Sequence, residues 1–115
     1  METVAEKVSR YEQVIKALLT RWAAIPNLEP GIRDRLLFDE TNHRYAVISE
    51  GWNGRERIHH IILDLEISGG KVWIHADNTD IVAAQELEAQ GIPKSDIVLG
   101  FRAPSVRAET EYAAA

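Results

Sequence analysis

The chain has 115 residues, with 13 Lys and Arg against 18 Asp and Glu, four His and no Cys. That length accommodates one folded unit over residues 1–115, because two independent cores would each fall near the lower limit of stable folding. An apolar fraction of 45% and a charged fraction of 27% exclude intrinsic disorder, and the lack of cysteine excludes disulfides and zinc–thiolate sites. The net charge of −5 sits in residues 58–101, where seven acids face only Lys71 and Lys94.

No apolar run reaches the roughly 20 residues that cross a bilayer, and the polar start METVAEK lacks a signal-peptide pattern. A cytoplasmic location without membrane contact is therefore expected, in keeping with the absent cysteines. Five arginines lie between Arg33 and Arg57, but Asp34, Asp39, Glu40, Glu50 and Glu56 are interleaved with them. A protein that binds duplex DNA alone presents clustered Lys and Arg, so this composition speaks against direct nucleic-acid binding.

The first element is a helix. Val4, Val8, Tyr11, Ile15, Leu18, Trp22 and Ile25 recur at steps of three and four, forming one apolar stripe. Thr3 and Glu6 read as a capping box, and Pro26 ends the run. From Ile32 the period becomes two. Strands are expected at 32–39, 43–52, 55–67 and 71–77, with turns at Glu40–Asn42, Asn53–Gly54 and Gly69–Gly70.

Two-residue turns fix a register. Across Asn53–Gly54 it places Trp52 opposite Arg55, Glu50 opposite Arg57, Ile48 opposite His59 and Val47 opposite His60. Across Gly69–Gly70 it places Ile67 opposite Val72, Leu65 opposite Ile74, Asp64 opposite His75 and Ile62 opposite Asp77. One face then holds Ala46, Ile61, Leu63, Leu65, Ile67, Val72, Ile74 and Ala76 as core. The other holds Tyr45, Val47, Ile58, His60, Ile62, Asp64, Trp73, His75 and Asp77. A second helix is expected from Thr79 or Asp80 to a stop at Gly91, with Ile81, Ala84 and Leu87 toward the sheet. A short apolar run at Ile97–Phe101 and an irregular tail from Pro104 follow. The fold class is α+β: an N-terminal helix, a four-stranded antiparallel meander, a second helix and a short C-terminal segment.

The text from Gly51 onward carries a family likeness. GWNGRERIHHIILDLEISGGKVWIHADNTD, then QELEAQGIPKSDIVLGFRAPSVR, resembles the XisI family of fdxN element excision controlling factors, and SRYEQVIKALLTRWA resembles that family's N-terminal helix. The pieces that carry it are Gly51-Trp52-Asn53, Gly70-Lys71-Val72-Trp73-Ile74, and the block from Asp96-Ile97-Val98-Leu99 to Pro104-Ser105-Val106-Arg107. Glu109–Ala115 departs from it, being more acidic and richer in alanine. The resemblance implies accessory work in programmed excision of a DNA element that interrupts a nitrogen-fixation gene during heterocyst differentiation in cyanobacteria. A separate site-specific recombinase cuts and rejoins, and an XisH-like companion acts beside this family. It implies no catalytic residues and no cofactor.

Three local constellations compete. His60, Asp64, His75 and Asp77 share a face in the derived register, and imidazole with carboxylate can hold a divalent metal or serve as a general base. His60 and Asp64 lie about 13 Å apart along a strand, which leaves Asp64, His75 and Asp77 as the weak metal set. The plain alternative is a solvated sheet face with a cross-strand Asp–His pair. Trp52 and Arg55 at the hairpin tip permit a cation–π contact, as a docking hot spot or as simple self-stabilisation of the hairpin. Arg102 and Arg107 flank Pro104 and could reach a phosphate or an acidic partner, although two arginines are also common as solvated residues. No nucleophile elbow, phosphate loop or paired glycosidase carboxylates are legible.

The resemblance, together with the lack of a basic patch and of a catalytic constellation, implies a non-enzymatic factor that contacts the XisH-like companion or the recombinase. The partner-binding candidates are Tyr45, Trp52, Arg55, Ile58, Ile62, Trp73 and Arg107. A small hydrolase using Asp64, His75 and Asp77, or a DNA-binding controller using Arg33, Arg35, Arg44, Arg55 and Arg57, are the other classes. The apolar residues of the non-core face also suggest a homo-oligomer, unless Val98, Phe101 and Val106 fold back to cover them.

Overall fold

A computed structural model describes all 115 residues. Helix α1 spans Val4–Ala23, and its first turn is closed by the expected capping box of Thr3 and Glu6. Tyr11, Ile15, Leu18 and Leu19 are its buried face, whereas Val4 and Ile25, at the ends of the sequence stripe, are exposed. Four antiparallel strands follow: β1 Ile32–Asp39, β2 Arg44–Asn53, β3 Glu56–Ser68 and β4 Lys71–Asp77. Helix α2 spans Ala83–Ala89, and a 3-10 turn at Lys94–Asp96 leads into β5, Ile97–Leu99. Helix α3 is a single turn, Pro104–Arg107.

The α+β class and the four antiparallel strands agree with the sequence. The short apolar run is a fifth strand, however, laid parallel to β4 with Val72 opposite Ile97. The sheet is therefore mixed, in the order β1-β2-β3-β4-β5. A β4–α2–β5 crossover is the usual way to bring two parallel strands together. The tail is ordered as well. Ala113 bridges to Val98, its N–H donates to the Ile97 carbonyl at 2.9 Å, and Arg107 donates to the Ala114 carbonyl at 3.2 Å.

The second hairpin turn is Gly54–Arg55, closed by the pair Asn53 and Glu56. Gly54 takes φ 62° while Arg55 keeps a negative φ, the requirement of a type II′ turn. That moves the pairing by two residues from the expected register, so Trp52 lies opposite Arg57 and Glu50 opposite His59. Farther along, one extra residue, Ile62, enters β3 between the pairs Ile48–Ile61 and Val47–Leu63. A single-residue slip exchanges the faces. Tyr45 and Val47, expected on the outer face, are thus buried in the core with Leu63, Leu65, Ile67, Val72 and Ile74. Ile61, expected in the core, is exposed on the outer face, and Ile62 packs against the core.

Both helices lie on the Tyr45 side of the sheet. Tyr11 on α1 donates to Asp96 at 2.5 Å, and Lys7 pairs with the same carboxylate at 2.8 Å. Burial pushes the Tyr11 phenol up to about 12, aided by the Asp96 carboxylate. Burial does the same for Tyr45, and burial with a hydrogen bond to Glu88 does so for Tyr112, both to about 12. Helix α2 ends in a Schellman pattern, with Gly91 N–H on the Glu88 carbonyl and Ile92 N–H on that of Leu87.

Two predictions follow from the packing. A raised phenol pKa stabilises the fold below the unfolded value near 10 and loses that contribution as pH climbs through the folded value. All three tyrosines should therefore ionise near pH 12 in a spectrophotometric titration, with stability falling between about pH 10 and 12. A phenol titrating near 10 in the folded chain would contradict this. Gly51 has φ 150°, and a Cβ there would stand 1.9 Å from the Gly31 carbonyl oxygen. Gly51→Ala should cost about 1–3 kcal/mol in a denaturant melt, because backbone has to move.

Candidate functional site

The Asp64, His75 and Asp77 set does not converge. In β4 a second extra residue, His75, falls between the pairs Leu65–Ile74 and Asp64–Ala76. Asp64 is therefore not opposite His75. It receives a two-pronged hydrogen bond from Arg44 at 2.7 and 2.9 Å, which uses both its oxygens. His75 Nε2 instead meets Glu66 at 2.8 Å and stacks beside Trp73, ring centroids 6.2 Å apart.

Past that bulge Asp77 pairs with Leu63, on the core side where α2 lies. Its carboxylate accepts from the Ala83 N–H at 2.7 Å and from the Thr79 N–H and hydroxyl at 3.1 and 2.6 Å. Asp77 thus caps α2 from six residues upstream, in place of the expected Thr79 or Asp80. The helix starts at Ala83 because Val82 adopts φ 50°, outside helical geometry. No group of three or more His, Asp or Glu is placed to hold a metal ion. His60 lies opposite Ser49, on the arm beyond the end of β4.

The hairpin of β2 and β3 runs past the end of β4, in a molecule 51 Å along its longest axis. On its outer face Trp52 is 56% exposed, and Arg57 lies over its ring at 5.4 Å. The aromatic–arginine contact expected at the tip therefore exists with Arg57, while Arg55 occupies the turn. Glu50 pairs with Arg35 at 3.1 Å and comes within 4.0 Å of His59. Arg33 is opposite Glu50 on the same face. Below this charged group, Leu37 (53% exposed) and Ile61 (41% exposed) flank Ala46 and Ile48 in one apolar strip.

The other end of the outer face is covered within the chain. Arg107 lies 5.3 Å from the Trp73 ring and donates to the Arg102 carbonyl at 2.9 Å, so the C-terminal segment covers Trp73. Of the candidate contact residues, Trp52 and Arg55 are exposed and Ile58 is half-buried on the arm. Tyr45 is in the core, Ile62 packs against it, and Trp73 and Arg107 hold each other. Leu37 and Ile61 are exposed residues that the sequence reading does not single out for contact. Sequence parity carries the signal: Tyr45, Val47, Leu63, Leu65 and Ile67 are all odd positions, which a two-residue turn can bring to one face only through an inserted residue, and Ala46 on β2 and Ile61 on the turn side of that insertion then face outward. The largest surface groove, about 480 Å³, runs between Thr20, Ala23 and Ala24 of α1 and residues 33–36 of β1.

Fold and inventory together define a small α+β domain with one sheet face under helices, one largely bare, and a projecting hairpin. The sequence matches the model of the XisI protein family over residues 5–114. The chain belongs to the XisI family. A XisI-like protein of Anabaena variabilis ATCC 29413, known from a crystal structure at 1.30 Å, superposes with a TM-score of 0.89 at 33% identity. The match covers 94% of this chain and 99% of that one. The structure of the fdxN element excision controlling factor XisI of the same organism superposes with a TM-score of 0.82 at 39% identity, covering 95% and 99%. No curated protein matches the chain.

The Asp77 cap is directly testable. Asp77→Ala leaves the Ala83 and Thr79 N–H groups without their acceptor and should cost about 1–2 kcal/mol in chemical denaturation. An unchanged midpoint would show that α2 does not depend on this carboxylate.

Proposed function

We propose that this protein is an accessory controlling factor in the excision of a DNA element, acting by contact with an XisH-like companion or the site-specific recombinase and not by catalysis. The observation that carries the reading is the outer sheet face, where exposed Trp52, Leu37 and Ile61 are ringed by Arg33, Arg35, Glu50 and Arg57. Apolar and aromatic anchors inside a charged rim are the usual anatomy of a protein contact. Family membership supplies the biological setting, since a relative at 39% identity is named for control of excision. The scattering of Asp64, His75 and Asp77 into separate structural bonds weighs against the hydrolase alternative.

A second reading has one observation in its favour. Arg33, Arg35 and Arg57 share the outer face of the arm against Glu50 alone, a local positive excess in an acidic chain. Contact with the DNA backbone beside a partner would use it.

Titration calorimetry of the purified chain against a purified XisH-like protein and against the recombinase tests the first reading. Binding to one of them is expected, with Leu37→Glu combined with Ile61→Glu weakening it on the order of tenfold or more while circular dichroism is unchanged. No binding to either, together with a sequence-specific gel shift by the chain alone at about 150 mM salt, would favour the DNA reading.

A further inference from the structure

A sheet must dispose of its edges, because unpaired N–H and C=O groups recruit another strand. This chain closes one edge with its own tail, where Ala113 lies against β5. The outer half of β3 is open only briefly. Asn78 donates to the carbonyls of Ile61 and Ile62 at 3.3 and 2.8 Å, leaving Arg57 and His59. Strand β1 is different. It pairs with β2 over its full length and with nothing on its other side.

The phase of that open edge can be read. The Trp52 N–H donates to the Gly31 carbonyl, so even-numbered residues of β2 direct their main chain at odd-numbered residues of β1. The N–H and C=O of Asp34, Leu36 and Phe38 therefore point away from the sheet, and no hydrogen bond inside the molecule takes them up. Leu36 and Leu37 are also 37% and 53% exposed on this strand.

We propose that β1 is a self-pairing edge: two copies of the chain join antiparallel along β1, about a two-fold axis at Leu36, to form one ten-stranded sheet. The occupant is set by self-complementarity. With the axis at Leu36, the outward groups of Asp34, Leu36 and Phe38 meet those of Phe38, Leu36 and Asp34 of the other copy, the isologous pattern of a two-fold interface. Arg33 falls opposite Asp39 at both ends, and Leu36 falls opposite itself. Moving the axis to Arg35 would oppose two arginines, and moving it to Leu37 would leave Asp34 unpaired.

The helices leave room. Helix α1 lies over β1, β2 and β3, which centres it on β2. Strands about 4.8 Å apart then put the two α1 axes about 14 Å apart, beyond the 8–10 Å of directly packed helices. The groove between α1 and β1, walled by Thr20, Ala23 and Ala24, receives the Leu36 side chain of the other copy. The contact is modest in area, so the dimer is reversible and not obligate.

Sedimentation of the full chain over a concentration series tests this, with circular dichroism as the check on folding. The wild type should pass from monomer to dimer. Leu36→Lys, which sets two ammonium groups against each other at an exposed site, should weaken dimerisation on the order of tenfold or more. Leu36→Pro should do the same by removing an N–H that the β1–β2 ladder does not use. Hydrogen exchange supplies a reading without substitution: the Leu36 amide should gain protection as concentration rises, and those of Arg57 and His59 should not. A wild type that stays monomeric, or a dimer that survives both Leu36 variants and leaves the Leu36 amide unprotected, overturns the proposal.

Discussion

A two-residue turn joins positions of opposite parity, and the rest of this sheet depends on that constraint. The turn at Gly54–Arg55 pairs Asn53 with Glu56, so each odd residue of β2 starts opposite an even residue of β3. The bulky apolar residues are odd on both strands: Tyr45 and Val47 on one, Leu63, Leu65 and Ile67 on the other. They cannot share a face unless one residue is inserted between them. Ile62 is that residue, and burial of a continuous Tyr45–Val47–Leu63–Leu65 surface offsets the local loss of pairing. The bulge at His75 works on the same principle in β4. It rotates Asp77 to the helix side, where the carboxylate finds the free amides at the start of α2.

This division explains what was legible in the sequence. Element types and most boundaries follow from period and punctuation, because local steric rules act within a few residues. The stripe of α1, the alternation of β1 to β4 and the glycine turns are of that kind. Bulges are set by a non-local agreement between strands, and a register carried outward from a turn misses them. Such a register puts Tyr45 on the outer face and Ile61 in the core, and sets Asp64 opposite His75. The candidate site was legible where it lay next to a turn, as Trp52 does, and illegible where a bulge intervened. The same parity comparison between β2 and β3 places Ile61 outward, and the pairing of β1 with β2 adds Leu37 opposite Ala46.

Charge distribution adds a functional asymmetry. The acidic excess of residues 58–101 is largely engaged: Asp64 with Arg44, Glu66 with His75, Asp77 with α2, Asp96 with Lys7 and Tyr11, and Glu88 with Tyr112. On the arm, Arg33 and Arg57 face outward, and Trp52 stands among them. Acids therefore fasten the body together, while Arg33, Arg35 and Arg57 gather at its projecting end. A contact made through the arm would leave the core bonds undisturbed.

The tail shows how a segment poor in packing side chains can still close a sheet edge. Residues 109–115 include three alanines at their end, and alanine offers little to pack. The attachment is mainly through the backbone: Ala113 donates to Ile97, and the carbonyls of Ala114 and Ala115 accept from Arg107 and Lys71. Main-chain bonds are indifferent to side-chain identity, so alanine serves as well as another residue here. Side chains matter at two points, Tyr112 on Glu88 and Glu111 on Lys94, and each ties the tail to the α2–β5 connection. The edge of β5 is thus closed by a segment held largely through its main chain. The edge of β1 has no such cover, and its alternating charges and two leucines are the features that a second strand would read.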